Sequence, residues 1–214
     1  FINDISTMEF NGGEYYPGKY NMHMAALQFM SDDLEPLITA PDNLVERNMG
    51  LQYYKTAMFL WLLRDNVLGA KRFDDAFKEY IHRWAYKHPS PDDFFRTMED
   101  VSGEDLGWFW RSWVLNNWKL DQAITDVEYV EGNPENGALI TIKNMKEIPM
   151  PVTIEITTLS DKKIRKELPV EIWKKNISWT FLVDTSEAFK KVMIDPDFEY
   201  PDVDGKNNYW YGTE

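Results

Sequence analysis

Hydrophobic residues recur at two different periods along the chain, and the period changes near Asp121. Before this point apolar residues recur at three- and four-residue steps, which is typical of amphipathic helices. After it, apolar and polar residues alternate over short runs rich in β-branched side chains, which is typical of strands. The pattern predicts an α+β protein of two units, helical over residues 1–120 and strand-rich over residues 121–214.

The first unit is predicted to consist of helices joined by short turns. The segment from Ala57 to Leu63 is apolar on all sides, as expected of a helix that is buried on every side. Ser90 precedes Pro91 and stands three residues before an acidic residue, which predicts a capping box at the start of a helix. Ser102 also stands three residues before an acidic residue, so a second helix start is predicted there. The predicted helices cover residues 20–34, residues 48–67 from an N-cap at Asn48, residues 73–84, and the segments that begin at Ser90 and Ser102.

The second unit is predicted to be a small antiparallel β-sandwich. Its strands are short, they follow one another at intervals of ten or so residues, and polar turns separate them, notably at residues 132–137 and 160–163. The predicted strands cover residues 124–130, 139–142, 152–157, 168–173, 177–183 and 191–194.

Composition and charge exclude several classes of function. The chain has 214 residues, no cysteine and a formal net charge of −13. Disulfides, thiolate nucleophiles and cysteine-bound metals are therefore excluded, and a field of that sign repels nucleic acid. The longest strongly apolar run is far too short to span a membrane. Composition suits an exported bacterial protein, with a cytoplasmic location left open.

Few residues point to chemistry on their own. The histidines, His23, His82 and His88, are too few for a conventional zinc site unless all three converge or carboxylates join them. The acidic run from Asp195 to Gly205 misses the spacing of an EF-hand loop, so solvated turn residues are expected there. Four tryptophans could form a carbohydrate platform, but core packing is favoured, above all for two that share an apolar face. These four are Trp108, Trp110, Trp113 and Trp118.

A phenol near the start of the apolar helix is the remaining candidate. Tyr53 and Tyr54 precede Lys55 there. A phenol at the N-terminal end of a helix can donate a hydrogen bond to a developing oxyanion, and the helix polarity favours negative charge at that end. The alternative is a packed ring with a satisfied hydroxyl, and residue type alone favours it.

Between Tyr53 and Leu120 a series of short motifs resembles the segment that follows the zinc site in the aminopeptidase N-like family of gluzincin zinc metallopeptidases. No single motif is specific, whereas the ordered series over about seventy residues is. The strand-rich part is similar to the β-domain that follows the catalytic domain in such enzymes. The motifs are Tyr53-x-Lys55, Leu63-Arg64-Asp65, Leu68-Gly69, His88-Pro89-Ser90-Pro91, Met98-Glu99, Ser102-Gly103-Glu104-Asp105-Leu106 and Phe109-x-x-x-Trp113.

The resemblance implies the α-helical C-terminal half of a thermolysin-like catalytic domain, followed by a small β-sandwich. In this family zinc is held by a His-Glu-x-x-His motif and a downstream glutamate, and the tyrosine of the Tyr-x-Lys motif donates to the tetrahedral oxyanion. That role carries over to Tyr53, or to Tyr54 if the register is off by one. Thr56 stands where family members commonly carry glycine.

The zinc motif, its third ligand and the Gly-x-Met-Glu-Asn strand of the family are missing from the 214 residues. The resemblance therefore implies a C-terminal fragment that is inactive by itself, binds no catalytic zinc and belongs to a parent enzyme that uses zinc and a peptide substrate. Its cut face is expected to expose apolar surface, which could drive dimerisation. The alternative is a non-catalytic module that binds a peptide or a glycan.

Overall fold

The structure is a computed structural model that describes residues 1–16, 34–45 and 49–212. It divides into two compact units, Phe1–Asn117 and Trp118–Glu214. The first unit is helical and the second contains antiparallel sheets, which confirms the predicted α+β class. The helix predicted over residues 20–34, His23 and the N-cap at Asn48 lie outside the described residues, apart from position 34.

The helical unit contains five described α-helices, two of which continue into a π-helical turn. Gly69, with φ of 78°, separates two of these helices, and this positive φ explains why a glycine stands there. No helix in the described ranges is long and apolar enough to cross a membrane. The helices are α1 (Ile2–Glu9), α2 (Met49–Leu62) with its π turn Leu63–Leu68, α3 (Ala70–Trp84), α4 (Pro91–Ser102), and α5 (Gly107–Trp110) with its π turn Arg111–Leu115.

The core of the helical unit is built around α2 and a cluster of aromatic rings. Every residue from Met58 to Leu63 is buried and Ala57 is half-buried, which confirms the expectation of a segment buried on every side for all but its first residue. Helices α3 and α4 pack on each other through Tyr80 and Phe94, whose ring centroids lie 5.0 Å apart. Phe73 on α3 is also buried, whereas Ile81 on the same helix is exposed.

The two predicted helix starts have different outcomes. The capping box at Ser90 is confirmed: its hydroxyl accepts from the N–H of Asp93, and the Asp93 carboxylate accepts from the N–H of Ser90. The predicted start at Ser102 is wrong, because Ser102 is the last residue of α4. Gly103 ends that helix in the left-handed conformation, and α5 begins only at Gly107, whose N–H donates to the Asp105 carboxylate.

Removal of the capping box at α4 is expected to destabilise the helical unit. We expect Ser90→Ala to lower the free energy of unfolding by about 1 kcal/mol, because the Ser90 hydroxyl no longer accepts from the N–H of Asp93 or donates to its carboxylate. The measurement is urea unfolding followed by circular dichroism. Ser6→Ala is the matched control, since Ser6 is exposed on α1. Equal stability of the two variants would contradict the capping role.

The second unit contains two antiparallel sheets. One has three strands in the order β1-β2-β5, and the other has four strands in the order β4-β3-β6-β7. The apolar faces of the two sheets share one core. Its buried strand residues come from β2, β3, β5 and β6. The strands are β1 (Gln122–Tyr129), β2 (Ala138–Asn144), β3 (Val152–Thr158), β4 (Lys163–Leu168), β5 (Ser178–Val183), β6 (Phe189–Ile194) and β7 (Tyr209–Tyr211).

The strand predicted over residues 168–173 is wrong. The chain there leaves β4 at Leu168 and forms a 3-10 helix over Val170–Trp173. Pro169 explains the difference, because proline has no N–H to donate to a strand ladder. The 3-10 turn instead buries Trp173, whose indole N–H donates to the carbonyl of Met150 at 2.8 Å. Strands β4 and β7 were not among the predicted strands.

Candidate functional site

The candidate tyrosines lie in the first half of α2, at the exposed end of that helix. Tyr53 is 76% exposed and Tyr54 is 52% exposed, whereas Lys55 is fully buried. The helix is therefore exposed at Tyr53 and Tyr54, whereas it is buried at Lys55 and from Met58 onward. Both hydroxyl-bearing rings are accessible, so exposure alone does not choose between Tyr53 and Tyr54.

The motif that follows the candidate tyrosines ties the end of α2 to α3. The Arg64 guanidinium donates to both carboxylate oxygens of Asp74, at 2.8 and 2.9 Å, and to Asp65 at 3.1 Å. Two parallel hydrogen bonds of this kind fix both the distance and the relative orientation of the Arg64 and Asp74 side chains. The hydrogen bond to Asp74 is the main reason that the pKa of Arg64 is raised above its ordinary value. The Leu-Arg-Asp motif thus has a structural role in this chain.

A half-buried carboxylate explains the position of the tryptophan-rich segment. One oxygen of Glu99 on α4 accepts from the N–H of Leu106 and from the indole N–H of Trp110, both at 3.1 Å. The Trp110 ring stacks on Phe95 at a centroid distance of 4.6 Å, and Trp113 is fully buried. Core packing is therefore confirmed for Trp110 and Trp113.

Loss of the Glu99 carboxylate is expected to destabilise the helical unit. We expect Glu99→Ala to lower the free energy of unfolding by about 1–3 kcal/mol, because two partly buried donors lose their acceptor together. Urea unfolding followed by tryptophan fluorescence measures the loss. Asp100→Ala, at the next and more exposed position, is the control and should change stability by less than about 0.5 kcal/mol. Equal effects of the two substitutions would show that Glu99 does not hold this segment.

The described residues do not form a metal centre. His82 and His88 are exposed on the helical unit, and His23 lies outside the described residues. In the part of the chain that the structure describes, no group of three or more histidine, cysteine, aspartate or glutamate side chains could hold a metal ion. The residues present in these ranges therefore do not fit a zinc site.

The acidic run of the second unit is more buried than the sequence predicts. Asp195 follows the end of β6, is only 7% exposed, and accepts from the N–H groups of Glu199 and Tyr200, both at 2.9 Å. Asp202 accepts from the N–H groups of Gln122 and Asp204 at the same distance. The expectation of solvated turn residues is wrong for these two carboxylates: Asp195 closes a local loop through the N–H groups four and five residues further on, and Asp202 also accepts from the distant Gln122.

Burial changes the proton affinity of both carboxylates. It raises the pKa of Asp195 from 3.8 to about 6, against the opposing effect of the two N–H donors. It raises the pKa of Asp202 to about 6 as well, and Asp121 contributes in the same direction. The folded protein therefore binds these protons more tightly than the unfolded chain. Each group makes the folded state less stable as pH rises from about 4 to about 6.

The Asp195 effect can be isolated by comparing a variant with the wild type across pH. Asp195→Asn lacks the titration, so its stability relative to the wild type should improve by about 2 kcal/mol between pH 4 and pH 7. The measurement is urea unfolding at several pH values. Asp126→Asn, at an exposed position of β1, is the control for an Asp-to-Asn substitution outside the core. A difference between Asp195→Asn and the wild type that does not change with pH would contradict the raised pKa.

Comparison with known proteins identifies the class of the helical segment. Residues 16–113 match the model of the Peptidase family M1 domain. This range contains the Tyr53-x-Lys55 motif, the Arg64 pair and the Glu99 contacts. The resemblance to aminopeptidase N-like metallopeptidases is thereby confirmed over residues 16–113, which are similar to a segment of a peptidase family M1 domain. No curated protein matches the chain significantly.

A solved structure agrees with this assignment at the level of the fold. Aminopeptidase A of Legionella pneumophila, crystallised in complex with aspartic acid, matches with a TM-score of 0.50 and 14% sequence identity. The match covers 71% of this chain and 17% of that chain. At this identity the likeness concerns the fold alone, and the chain spans less than a fifth of the length of that enzyme.

Proposed function

We propose that this chain is the C-terminal part of the catalytic region of a zinc-dependent aminopeptidase, together with the β-domain that follows it. On this proposal the helical unit is the C-terminal half of a thermolysin-like domain and the two sheets form the β-sandwich. The observation that carries the proposal is the family M1 match over residues 16–113, which includes the Tyr-x-Lys motif.

Tyr53 is proposed to stabilise the oxyanion that forms when a peptide bond is attacked. Its ring is exposed in the N-terminal half of α2, so its hydroxyl is accessible to a substrate that the rest of the intact protein would bind. A phenol donates one hydrogen bond, and donation to a developing negative charge lowers the energy of the transition state more than that of the ground state. Tyr54 is the alternative donor, one position away.

Zinc is expected to bind only in the intact protein. The chain contains no His-Glu-x-x-His motif, and the described residues do not fit a zinc site. Zinc, when bound in the intact protein, would polarise the scissile carbonyl and activate water. We therefore expect the 214-residue chain alone not to hydrolyse peptides. The exported bacterial location expected from composition is part of the same proposal.

The exposed apolar side chains of the helical unit support a covered face in the intact protein. Tyr53 and Tyr54 are neighbouring exposed aromatic residues, and Ile38 and Leu115 are also exposed, with the N–H of Ile38 donating to the carbonyl of Val114. On this proposal these side chains are covered when the rest of the catalytic domain is present. The zinc-bearing half of the catalytic domain is the proposed occupant, and dimerisation through this face is the proposed alternative in the isolated chain.

The test of the proposed function uses the longer protein with its zinc site. We expect Tyr53→Phe to lower kcat by roughly 100- to 1,000-fold on an aminoacyl peptide, with KM little changed, because one oxyanion donor is lost. Phenylalanine keeps the ring, so folding should be preserved. Steady-state kinetics at saturating zinc provide the measurement.

Tyr54→Phe in the same protein is the matched control. It should leave kcat within a few-fold of the wild type, and the reverse result would move the donor role to Tyr54. Unchanged kcat in both variants would reject the oxyanion role. A longer protein without peptidase activity would instead favour the non-catalytic module that binds a peptide or a glycan.

A further inference from the structure

Strand β5 leaves one edge of the three-stranded sheet open. It pairs with β2 in an unbroken register from Val183 opposite Ala138 to Ser178 opposite Lys143. On its other side no strand pairs with it among the described residues. Its side chains are exposed at all positions except Phe181 and Val183. The strand therefore presents unpaired backbone groups together with apolar side chains.

The direction of the free backbone groups follows from one hydrogen bond. The N–H of Asn144 donates to the carbonyl of Ile177 at 2.9 Å. Backbone groups alternate in direction along an antiparallel strand, so the odd-numbered residues of β5 face β2. The N–H and carbonyl groups of Ser178, Thr180 and Leu182 therefore point away from β2, toward the open side.

The other three sheet edges each carry a feature that discourages pairing. Strand β1 has a bulge between Ile124 and Asp126, and the N–H of Ile124 already donates to the carbonyl of Asn207. Strand β7 has only three residues. Strand β4 is rich in charge, and β5 has no charge, proline or glycine at all, which makes β5 the unprotected edge. The charged residues of β4 are Lys163, Arg165, Lys166 and Glu167.

We propose that β5 pairs antiparallel with β5 of a second copy of this chain, which joins two three-stranded sheets into one. With Thr180 on the two-fold axis, the outward backbone groups of the two copies meet, because Ser178 lies opposite Leu182 of the other copy. In the same register Trp179 lies opposite Phe181 of the other copy. Aromatic cross-strand pairs stabilise antiparallel strands.

Charges at the two ends of β5 favour the same arrangement. Lys174 and Lys175 precede the strand, and Asp184 and Glu187 follow it. Antiparallel pairing brings the basic end of one copy to the acidic end of the other, at both ends of the interface. A single strand pair buries less than the roughly 1,200 Å² of a standard interface, so the dimer is weak and depends on protein concentration.

The first test is sedimentation of the 214-residue chain over a wide concentration range. We expect a monomer–dimer equilibrium, and Thr180→Lys should raise its dissociation constant at least about tenfold, because two like charges then meet at the axis. Thr125→Lys is the matched control, since Thr125 and Thr180 both hydrogen-bond to Thr141 from opposite edges of the same sheet. This control should dimerise like the wild type.

The second test exchanges the charges at the ends of β5. Lys175→Glu and Asp184→Lys should each weaken self-association, because each leaves like charges at both ends of the homodimer. An equimolar mixture of the two variants should dimerise again, since opposite charges then meet at both ends. A monomer at all concentrations, equal dimerisation of T180K and T125K, or no recovery in the mixture would overturn the proposal. A dimer through the surface around Tyr53 would be insensitive to all of these substitutions.

Discussion

The two units depend on the same physical constraint, which is that a polar group removed from water must find a partner inside the protein. In the helical unit one carboxylate, Glu99, accepts from both the backbone and a tryptophan, and so determines where α5 begins. In the second unit the Met150 carbonyl accepts from Gln122 and Trp173, which come from different parts of the chain. Apolar burial supplies the driving force for folding, and these few polar contacts select the arrangement of the segments.

Local signals in the sequence predicted the fold well where local interactions decide it. The capping box at Ser90 and the alternation in β3 need only neighbouring residues, and both are found as predicted. The prediction failed where a distant partner or a single proline decides, as at Pro169 and at Asp202, which accepts from the N–H of Gln122 eighty residues earlier. Strand β7 was missed because three residues are too few to show a period.

The motifs by which the peptidase family could be recognised are largely folding signals in this structure. Arg64 joins two helices, Glu99 orients a third segment, and Ser90 caps α4. The packing contacts of these residues carry the resemblance, whereas the proposed chemistry depends on one exposed phenol, Tyr53. The candidate site could be predicted from sequence only through the resemblance, since tyrosine alone has no diagnostic spacing.

The strand order of the second unit has a consequence for the rate of folding. Strand β2 pairs with β5, and β3 pairs with β6, so each sheet forms only after long stretches of intervening chain have closed into loops. The hydroxyl of Tyr129 accepts from the N–H of Phe189 across the same large separation. In the helical unit, by contrast, a contact such as the cap of α4 joins residues only three positions apart. Because rates of folding fall as contacts become less local, we expect the strand-rich unit to fold more slowly than the helical unit.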